Sequence, residues 1–398
     1  MLQGKCIVMG VCGGIAAYKA ADLASKLVKA GAQVPVIMTD HATKFITPLT
    51  FQTLTDQPVT SQMFDAPIHW NVEHISLAKR ADAFVIVPAT ANMIGKLANG
   101  IADDMLSTTV MAARCPVIIA PAMNTNMYEN PVVQKNIKTL NALGYYMIEP
   151  DKGRLACGDE GAGKLPDPQV LLEQIENIMY PKKNLNGKRI LVTAGPTREF
   201  IDPVRYLSNP SSGKMGYALA RAAIMRGAGV TLVSGPVSLQ PPHGVHLCPV
   251  TSADDMYQTV MQQYQTHDII IKAAAVGDFK SKYYYDDKCK KDQLTTITLE
   301  KNEDILRAVC RNKGNRLVVG FCMETRDLLK YAYQKLLDKG ADMIVANDLT
   351  AQNAGFQSDN NTVTIVYRDG QTESLNNMPK LDLAHAILER CIDKCGGE

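Results

Sequence analysis

The sequence predicts an α/β protein made of two doubly wound domains. Short apolar runs alternate with helical patterns along most of the chain, the signature of a parallel sheet wrapped by helices. The alternation is interrupted at Tyr180-Pro181-Lys182-Lys183-Asn184-Leu185-Asn186-Gly187, a polar stretch carrying proline and glycine, and then restarts. A length of 398 residues also exceeds one ordinary core. The expected domains are residues 1–181 and 186–398.

Taken in order, Cys6–Met9 reads as a strand, followed by a glycine-bearing loop and a helix from about Ile15 to Ala30 that stops at Gly31. Val34–Met38, Phe84–Val87 and Val117–Ala120 read as strands. The last two each run into a polar loop and a helical stretch. Asp167-Pro168 reads as an N-cap with proline at the first helical position, opening a helix to about Met179. Beyond the linker, Arg189–Thr193, Val230–Ser234, Ile269–Ala273, Leu317–Phe321 and Met343–Ala346 read as strands. Asp369-Gly370 between Thr362–Tyr367 and a second short run is a hairpin signal. The loops that open the two halves differ too much for a residue-level repeat.

Apolar residues make up 46% and charged residues 21%, ordinary for a globular protein. A formal net charge of +2 carries no footprint for nucleic acid or an anionic membrane. No apolar run reaches the roughly 18 residues of a membrane span, and the N-terminus lacks a signal-peptide layout. The ten cysteines have neither metal-like CxxC pairs nor disulfide-scaffold spacing, and read as reduced thiols of a cytoplasmic protein.

In the first half, Gly10-Val11-Cys12-Gly13-Gly14 joins the first strand to the first helix. Glycines there let backbone N–H groups approach an anion at a helix N-terminus. The loop is neither GxGxxG nor a Walker loop, and a tight turn with close helix packing explains it too. Pro88-Ala89-Thr90-Ala91-Asn92 and Pro121-Ala122-Met123-Asn124-Thr125-Asn126-Met127-Tyr128 follow strand ends, where open α/β sheets bind ligands. Their small residues leave room for a flat ring and their amides and hydroxyls could fix its edges, although caps and turns use the same residues. His74 is a candidate base and Cys157, on a glycine-rich loop, a candidate proton donor; as a lone histidine and one thiol among ten, both also fit plain structural roles.

The motifs then become specific in combination. Gly-Gly-Ile-Ala-Ala-Tyr-Lys at 13–19, Pro-Ala-Thr-Ala-Asn at 88–92, Asn-Gly-Ile-Ala-Asp at 99–103, Pro-Ala-Met-Asn at 121–124 and Ala-Cys-Gly at 156–158 occur in this order. Together they resemble the phosphopantothenoylcysteine decarboxylase branch of the homo-oligomeric flavin-containing Cys decarboxylases, over nearly all of residues 1–180. The resemblance implies FMN, with His74, Asn124 and Cys157 at the catalytic positions. It implies cofactor contacts at Gly13, Gly14, Ile15, Thr39, Ala89, Thr90, Asn92, Ser107, Ala122 and Met123. Decarboxylation needs an electron sink, which flavin oxidation of a thiol toward a thioaldehyde creates; carbon dioxide then leaves to give an enethiol, which is reduced. In that scheme His74 assists deprotonation at the thiol end, Asn124 holds the substrate carboxylate or amide, and Cys157 supplies the final proton.

In the second half, Thr193-Ala194-Gly195-Pro196-Thr197-Arg198-Glu199 follows the first strand, and Asp202 to Gly216 brings Arg205, Asn209, Ser211, Ser212, Gly213 and Lys214 close in sequence. Hydroxyls, glycines and cations near a helix start fit phosphate recognition; a solvated, cap-rich loop explains part of the set. Lys272-Ala273-Ala274-Ala275-Val276-Gly277-Asp278 leaves another strand end, and Asp278 could hold magnesium or a ribose. Lys335 and Lys339, spaced i,i+4, share a helix face that is more often solvent-facing.

This ordered set resembles phosphopantothenate–cysteine ligase over most of residues 186–398. The resemblance implies CTP as co-substrate and Mg2+, with nucleotide contacts at Ala273, Ala274, Ala275, Asp278, Lys288, Glu303, Asp304, Ile305, Phe321, Lys335 and Lys339, and Asp278 also on the metal. Arg205 and Asn209 fall at positions tied to an acyl-cytidylate step. The implied substrates are 4′-phosphopantothenate and L-cysteine. The implied folds are an N-terminal flavodoxin-like/Rossmann-type flavoprotein domain and a C-terminal Rossmann-like ligase domain. The implied assembly is a homo-oligomer with trimeric decarboxylase and dimeric ligase contacts. Three positions depart from the pattern: Cys12 stands where serine is expected, Gly277 where alanine is, and Lys164 where arginine is common. A flavin prenyltransferase would share the first fold but leaves the second half and Cys157 unexplained. A phosphatase-inhibitory relative would need no His74, Asn124 and Cys157 set and would carry a long acidic tail.

Overall fold

The computed structural model describes residues 2–63, 73–154, 158–290, 296–324, 327–348 and 358–395. The chain divides into two compact units, residues 1–181 and 182–398.

The strands of the first unit are β1 (Ile7–Val11), β2 (Val36–Met38), β3 (Val59–Thr60), β4 (Ala83–Ala89), β5 (Val117–Pro121), β6 (Tyr146–Met147), β7 (Asp151–Arg154) and β8 (Glu160–Lys164). Its helices are α1 (Ala17–Lys29), α2 (Pro48–Thr55), α3 (Glu73–Arg80), α4 (Ala91–Ala98), α5 (Met105–Ala112), α6 (Thr125–Glu129), α7 (Pro131–Ala142) and α8 (Pro168–Met179). Six strands form one parallel sheet in the order β3-β2-β1-β4-β5-β6, the Rossmann order, while β7 and β8 pair antiparallel as a separate ribbon. β1 and β4 are apolar almost throughout because both faces of a wrapped parallel sheet are buried. Ile7, Met9, Val85 and Ile118 face a core shared with Leu23 and Leu27 of α1 and Leu171 and Ile175 of α8. Val8, Phe84, Ile86 and Ile119 point the other way, onto Ile94 of α4, Leu106 of α5 and Leu140 of α7. Each such side chain contributes about 1.5–3 kcal/mol when fully buried.

The second unit repeats the plan with different residues. Its strands are β9 (Arg189–Ala194), β10 (Arg198–Phe200), β11 (Tyr206–Ser208), β12 (Gly229–Ser234), β13 (His246–Pro249), β14 (Ile269–Lys272), β15 (Phe279–Ser281), β16 (Leu299–Lys301), β17 (Leu317–Glu324), β18 (Met343–Asp348), β19 (Asn360–Tyr367) and β20 (Thr372–Pro379). Its helices are α9 (Lys214–Met225), α10 (Ala253–Gln263), α11 (Ile305–Arg311), α12 (Leu328–Lys339) and α13 (Lys380–Cys395). The main sheet runs β13-β12-β9-β14-β17-β18-β19-β20, parallel as far as β18 and antiparallel across β19 and β20. α9 and α13 cover one face through Leu219, Ala223, Ile387 and Leu388. α10, α11 and α12 cover the other through Met256, Leu306 and Leu336.

The expected strands form with small shifts at their ends, and α8 opens at the expected Asp167 cap, whose carboxylate accepts from Gln169 N at 2.8 Å. The hairpin at Asp369-Gly370 is β19–β20, with Gly370 at φ 82°. The ribbons β7–β8, β10–β11 and β15–β16 and the short strands β3 and β6 were not expected: at two to five residues each they carry no readable period. Among the described residues, no helix is long and apolar enough to cross a membrane.

Candidate active sites

In both units the strand order reverses beside the first strand, and a crevice opens at the C-terminal ends of the strands there. In the first unit this lies between β1 and β4. Gly13 crosses the mouth of the crevice so closely that a Cβ would stand 2.3 Å from His41 Cβ, which restricts the position to glycine. Cys12 N donates to Pro88 O at 3.2 Å and so ties the loop to the end of β4. Thr90 caps α4, accepting from Met93 N at 3.3 Å.

Two cavities share this region. One, about 630 Å³, is lined by Gly13, Gly14, Ile15, Thr90, Ala122, Met123 and Asn124, with Lys19, Arg154 and Lys164 at its rim. The other, about 790 Å³, takes in Cys12, Gly13, Thr39, Thr90, Asn92, Lys96, Asp103 and Asp104. Asn124 is fixed at both ends of its amide: Oδ1 accepts from Asn126 N at 2.8 Å and Nδ2 donates to Asp159 Oδ2 at 2.6 Å. The β7–β8 ribbon docks here through Gly163, at φ 130°. Its carbonyl accepts from Met123 N at 3.0 Å, and a Cβ on it would fall 2.3 Å from Met123 O.

The site is electropositive on the ribbon side. Lys19 Nζ donates to Leu165 O at 2.7 Å, and burial, followed by the charge of Lys164, holds its ammonium below the usual lysine range. On the other side Lys96 bridges Asp103 and Asp104 at 2.6 Å each. Burial pushes the Cys12 thiol up to about 12, against partial relief from Thr90, so Cys12 stays neutral.

The structure brings together Gly13, Gly14, Ile15, Thr90, Ala122, Met123 and Asn124, with Thr39 and Asn92 in the adjoining space. Ala89 is buried in β4 beneath them, with its carbonyl accepting from Ala122 N at 3.0 Å. Ser107 lines neither space. It is fully buried and spent in a capping box with Asp104, exchanging hydrogen bonds with it at 2.8 and 3.2 Å. His74, the second residue of α3, is half-buried and lines neither cavity. Cys157 lies outside the described residues; the ribbon whose strands bracket it lines the smaller cavity through Arg154, Gly163 and Lys164. Lys19 was missed as a rim residue because it sits on the amphipathic helix α1, where a lysine reads as solvent-facing.

In the second unit the crevice lies between β9 and β14. Hydroxyls stitch the two loops together: Thr193 Oγ1 accepts from Ala274 N at 3.1 Å and Thr197 Oγ1 from Gly277 N at 2.9 Å. Asn209 Nδ2 donates to Ala275 O and Val276 O, both at 3.3 Å. The resulting cavity of about 350 Å³ is lined by Asn209, Ala273, Ala274, Ala275, Asp278, Phe321 and Lys335, with Lys214, Lys272, Asn347, Asn361 and Lys380 completing it. Of these five, Lys214 belongs to the set expected at a phosphate and Lys272 heads the expected strand-end loop, while Asn347, Asn361 and Lys380 were not singled out from the sequence. Asn361, 4% exposed, donates to Asn347 Oδ1 at 3.2 Å, and Lys380 Nζ donates to Ser358 O at 2.6 Å.

Lys335 Nζ donates to Phe321 O at 3.0 Å, while Lys339, one turn on, is ion-paired with Asp304. Asp304 also caps α11 by accepting from Arg307 N at 3.0 Å. Burial raises its carboxyl, but Lys339 and Arg307 N outweigh that and hold it below the carboxylate range. Glu303, Asp304, Ile305, Lys339 and Lys288 do not line the cavity; Ile305 is buried, and Glu303 and Lys288 are exposed. Arg205 also lies off the cavity. Its Nη1 donates to Asp202 Oδ2 at 3.0 Å and Cys289 O at 3.1 Å, locking the loop before β11 to the segment after Lys288. Asp202, with no exposed surface, accepts further from Val204 N, Arg205 N and Cys289 N. Among the described residues no group of three or more His, Cys, Asp or Glu converges as a metal cage.

Two family models match the chain: Flavoprotein over residues 1–179, and DNA/pantothenate metabolism flavoprotein C-terminal domain over residues 185–394. The chain is 49% identical over 393 residues to the coenzyme A biosynthesis bifunctional protein CoaBC of Bacillus subtilis, covering 98% of this chain and 97% of that protein. It is 44% identical over 375 residues to the protein of the same name from Escherichia coli, covering 93% and 92%. Among solved structures, the C-terminal domain of a CoaBC protein is 43% identical over 54% of this chain and 98% of that one, with a TM-score of 0.47. A PPC decarboxylase mutant complexed with pantothenoylaminoethenethiol is 30% identical over 44% of this chain and 98% of that one, with a TM-score of 0.41.

Proposed function

We propose a residue-level mechanism on one premise: this chain belongs to the family of bifunctional coenzyme A biosynthesis proteins called CoaBC. It is a bifunctional enzyme of coenzyme A synthesis, with a ligase activity and an FMN-dependent decarboxylase activity. The observation that carries the division of labour is the pair of crevices at equivalent switch points, one apolar with a cationic rim, the other rich in lysine and amide groups. The decarboxylase belongs to residues 1–181 and the ligase to residues 186–398.

The residues of the first crevice fit FMN. Gly13 and Gly14 leave backbone at the start of α1 for a phosphate, and no atom lies within 4 Å of where a Gly14 Cβ would stand. Ala91, Ala122 and Met123 leave a flat apolar space for a ring. FMN, when bound, supplies reversible oxidation at the substrate's carbon–sulfur end. The chain supplies the rest. Asn124, its amide orientation fixed by Asp159 and Asn126 N, holds the substrate's carboxylate or amide. Lys19, Arg154 and Lys164 favour an anionic substrate at the rim. Cys157, which falls between β7 and β8 in the sequence, donates the last proton. His74 assists removal of the thiol proton. Its separation from the Asn124 cavity supports a site completed by a second copy of the chain, as in a trimer.

In the second crevice the carboxylate of 4′-phosphopantothenate attacks the α-phosphorus of CTP, releasing pyrophosphate and forming an acyl-cytidylate, whose acyl carbon the amine of L-cysteine then attacks, forming the amide and releasing CMP. A carboxylate needs this activation because oxide is not a leaving group. Asp278, exposed at the cavity mouth, is the protein ligand for Mg2+; one carboxylate with substrate phosphates is how that ion is commonly held. Asn209, bound to the Ala275 and Val276 carbonyls, keeps the nucleotide loop closed on the intermediate. Arg205 acts on the same step through the loop it locks to Asp202. Dimeric contacts complete the ligase.

The test is incubation of the purified protein with 4′-phosphopantothenate, L-cysteine, CTP and Mg2+. Pyrophosphate and 4′-phosphopantetheine are both expected. Formation of neither would defeat the reading, and equal turnover with ATP would remove the assignment of CTP.

A further inference from the structure

Lys272 is the last residue of β14, at the middle of the eight-stranded sheet. By the period of two along a strand its side chain follows Ile270, onto the face that α11 and α12 cover. The charged groups around it are Lys335 and Lys339 of α12, Asp304 at the cap of α11, and Asp278 of the loop beyond β14. Lys335 is committed to Phe321 O and Lys339 to Asp304. Among the described residues no group hydrogen-bonds or ion-pairs with the Lys272 ammonium, which lines the ligase cavity.

A half-buried ammonium facing two others, with no partner among the described residues, costs stability. Such costs persist where a ligand offsets them. We propose that Lys272 is the cation the ligase cavity presents directly to the polyphosphate of its nucleotide substrate. This rests on the reading of that cavity as the nucleotide site. Of the three convergent lysines it alone has no partner among the described residues, so it is the one free to turn toward a phosphate oxygen. Burial first, and the Lys335 charge next, pull its ammonium down to about 8. It is therefore still mostly charged at neutral pH, and a bound phosphate favours the charged form.

The test compares wild type, Lys272→Met and Lys272→Arg in the full chain. Binding of CTP with Mg2+, and of inorganic tripolyphosphate with Mg2+, is measured by calorimetry from pH 6.5 to 9. Lys272→Met is expected to weaken both ligands about 10- to 100-fold, the range of one charge-assisted hydrogen bond, while the unliganded protein melts no lower than wild type. Wild-type affinity is expected to fall as pH rises through about 8. Lys272→Arg should keep neutral-pH affinity and lose that alkaline fall. Wild-type affinity in Lys272→Met, or an alkaline fall retained by Lys272→Arg, overturns the proposal. A lower melting temperature in Lys272→Met with both affinities unchanged marks a structural lysine and also overturns it. If wild type binds neither ligand, the nucleotide reading itself fails first, and this inference with it.

Discussion

The side-chain amide of Asn209 reaches across the crevice to the carbonyl oxygens of Ala275 and Val276, 3.3 Å from each, and so fastens the loop before α9 to the loop that leaves β14. The two loops meet on either side of the switch point between β9 and β14, the position where a nucleotide lies in such sheets.

Asn209→Ala removes both hydrogen bonds at a net cost of about 0.5–1.5 kcal/mol each. Ligation, read as pyrophosphate release, is expected to fall tenfold or more. Decarboxylation of preformed 4′-phosphopantothenoylcysteine should hold its wild-type rate, because the proposed function places that chemistry in the other unit. Equal losses in both assays would show a general folding defect and remove the assigned role.

A substitution at Gly163 tests the ribbon as part of the crevice proposed for flavin. At φ 130°, with Met123 O lying 2.3 Å from a built Cβ, an alanine must move the ribbon or the start of α6. Strain of this kind costs about 1–3 kcal/mol. Gly163→Ala is expected to lower decarboxylation at least tenfold, with loss of flavin on purification, and to leave ligation intact. Unchanged flavin content and decarboxylase rate would detach the ribbon from the site.

How much of this was legible in the sequence follows from what each feature depends on. β1, β4, β9 and β14 were readable because burial on both faces writes an unbroken apolar run into the chain. Loops after those strands marked the crevices, since strand ends and glycines are local signals. Lys272 was not readable, because a lysine that ends an apolar run looks like a strand terminator; only α12, folded back beside it, gives it meaning. Asp202 was equally silent: its burial depends on Cys289, far along the chain, whose amide it accepts at 3.2 Å. Ser107 went the opposite way. A hydroxyl expected at the cofactor is used by its own helix cap, accepting from Asp104 N and donating to Asp104 Oδ1.

Cys12 should be chemically silent. Its thiol, pushed up to about 12 by burial, is ionised at pH 8 to only about one part in ten thousand. Alkylation of the folded protein at pH 8, followed by peptide mass analysis, is expected to leave Cys12 unmodified until denaturant is added. Rapid labelling of the native protein would mean that the loop opens.

Acid should destabilise the second unit. Arg226 is 3% exposed; its Nη1 donates to Glu389 at 2.6 Å and to Asn184 at 3.1 Å, and its Nε to His385 Nδ1 at 3.3 Å. A guanidinium only donates, so Nδ1 is the acceptor and the ring proton sits on Nε2. Burial first, then the charges of Arg226 and Arg221, depress the His385 pKa from 6.5 to about 4. Between those values the unfolded chain takes up a proton that the folded one refuses, so folding stability falls as pH drops from 6.5 toward 4. Glu389, held below its usual range first of all by its hydrogen bond with Arg226, adds a loss in the same direction at the acid end of that window. His385→Gln retains an acceptor for Arg226 without a titrating ring. Thermal melts of the ligase unit within the full chain at pH 7 and pH 5 should show a drop for wild type several degrees larger than for His385→Gln. Equal drops would place the acid sensitivity elsewhere, because no other change separates the two proteins across that range.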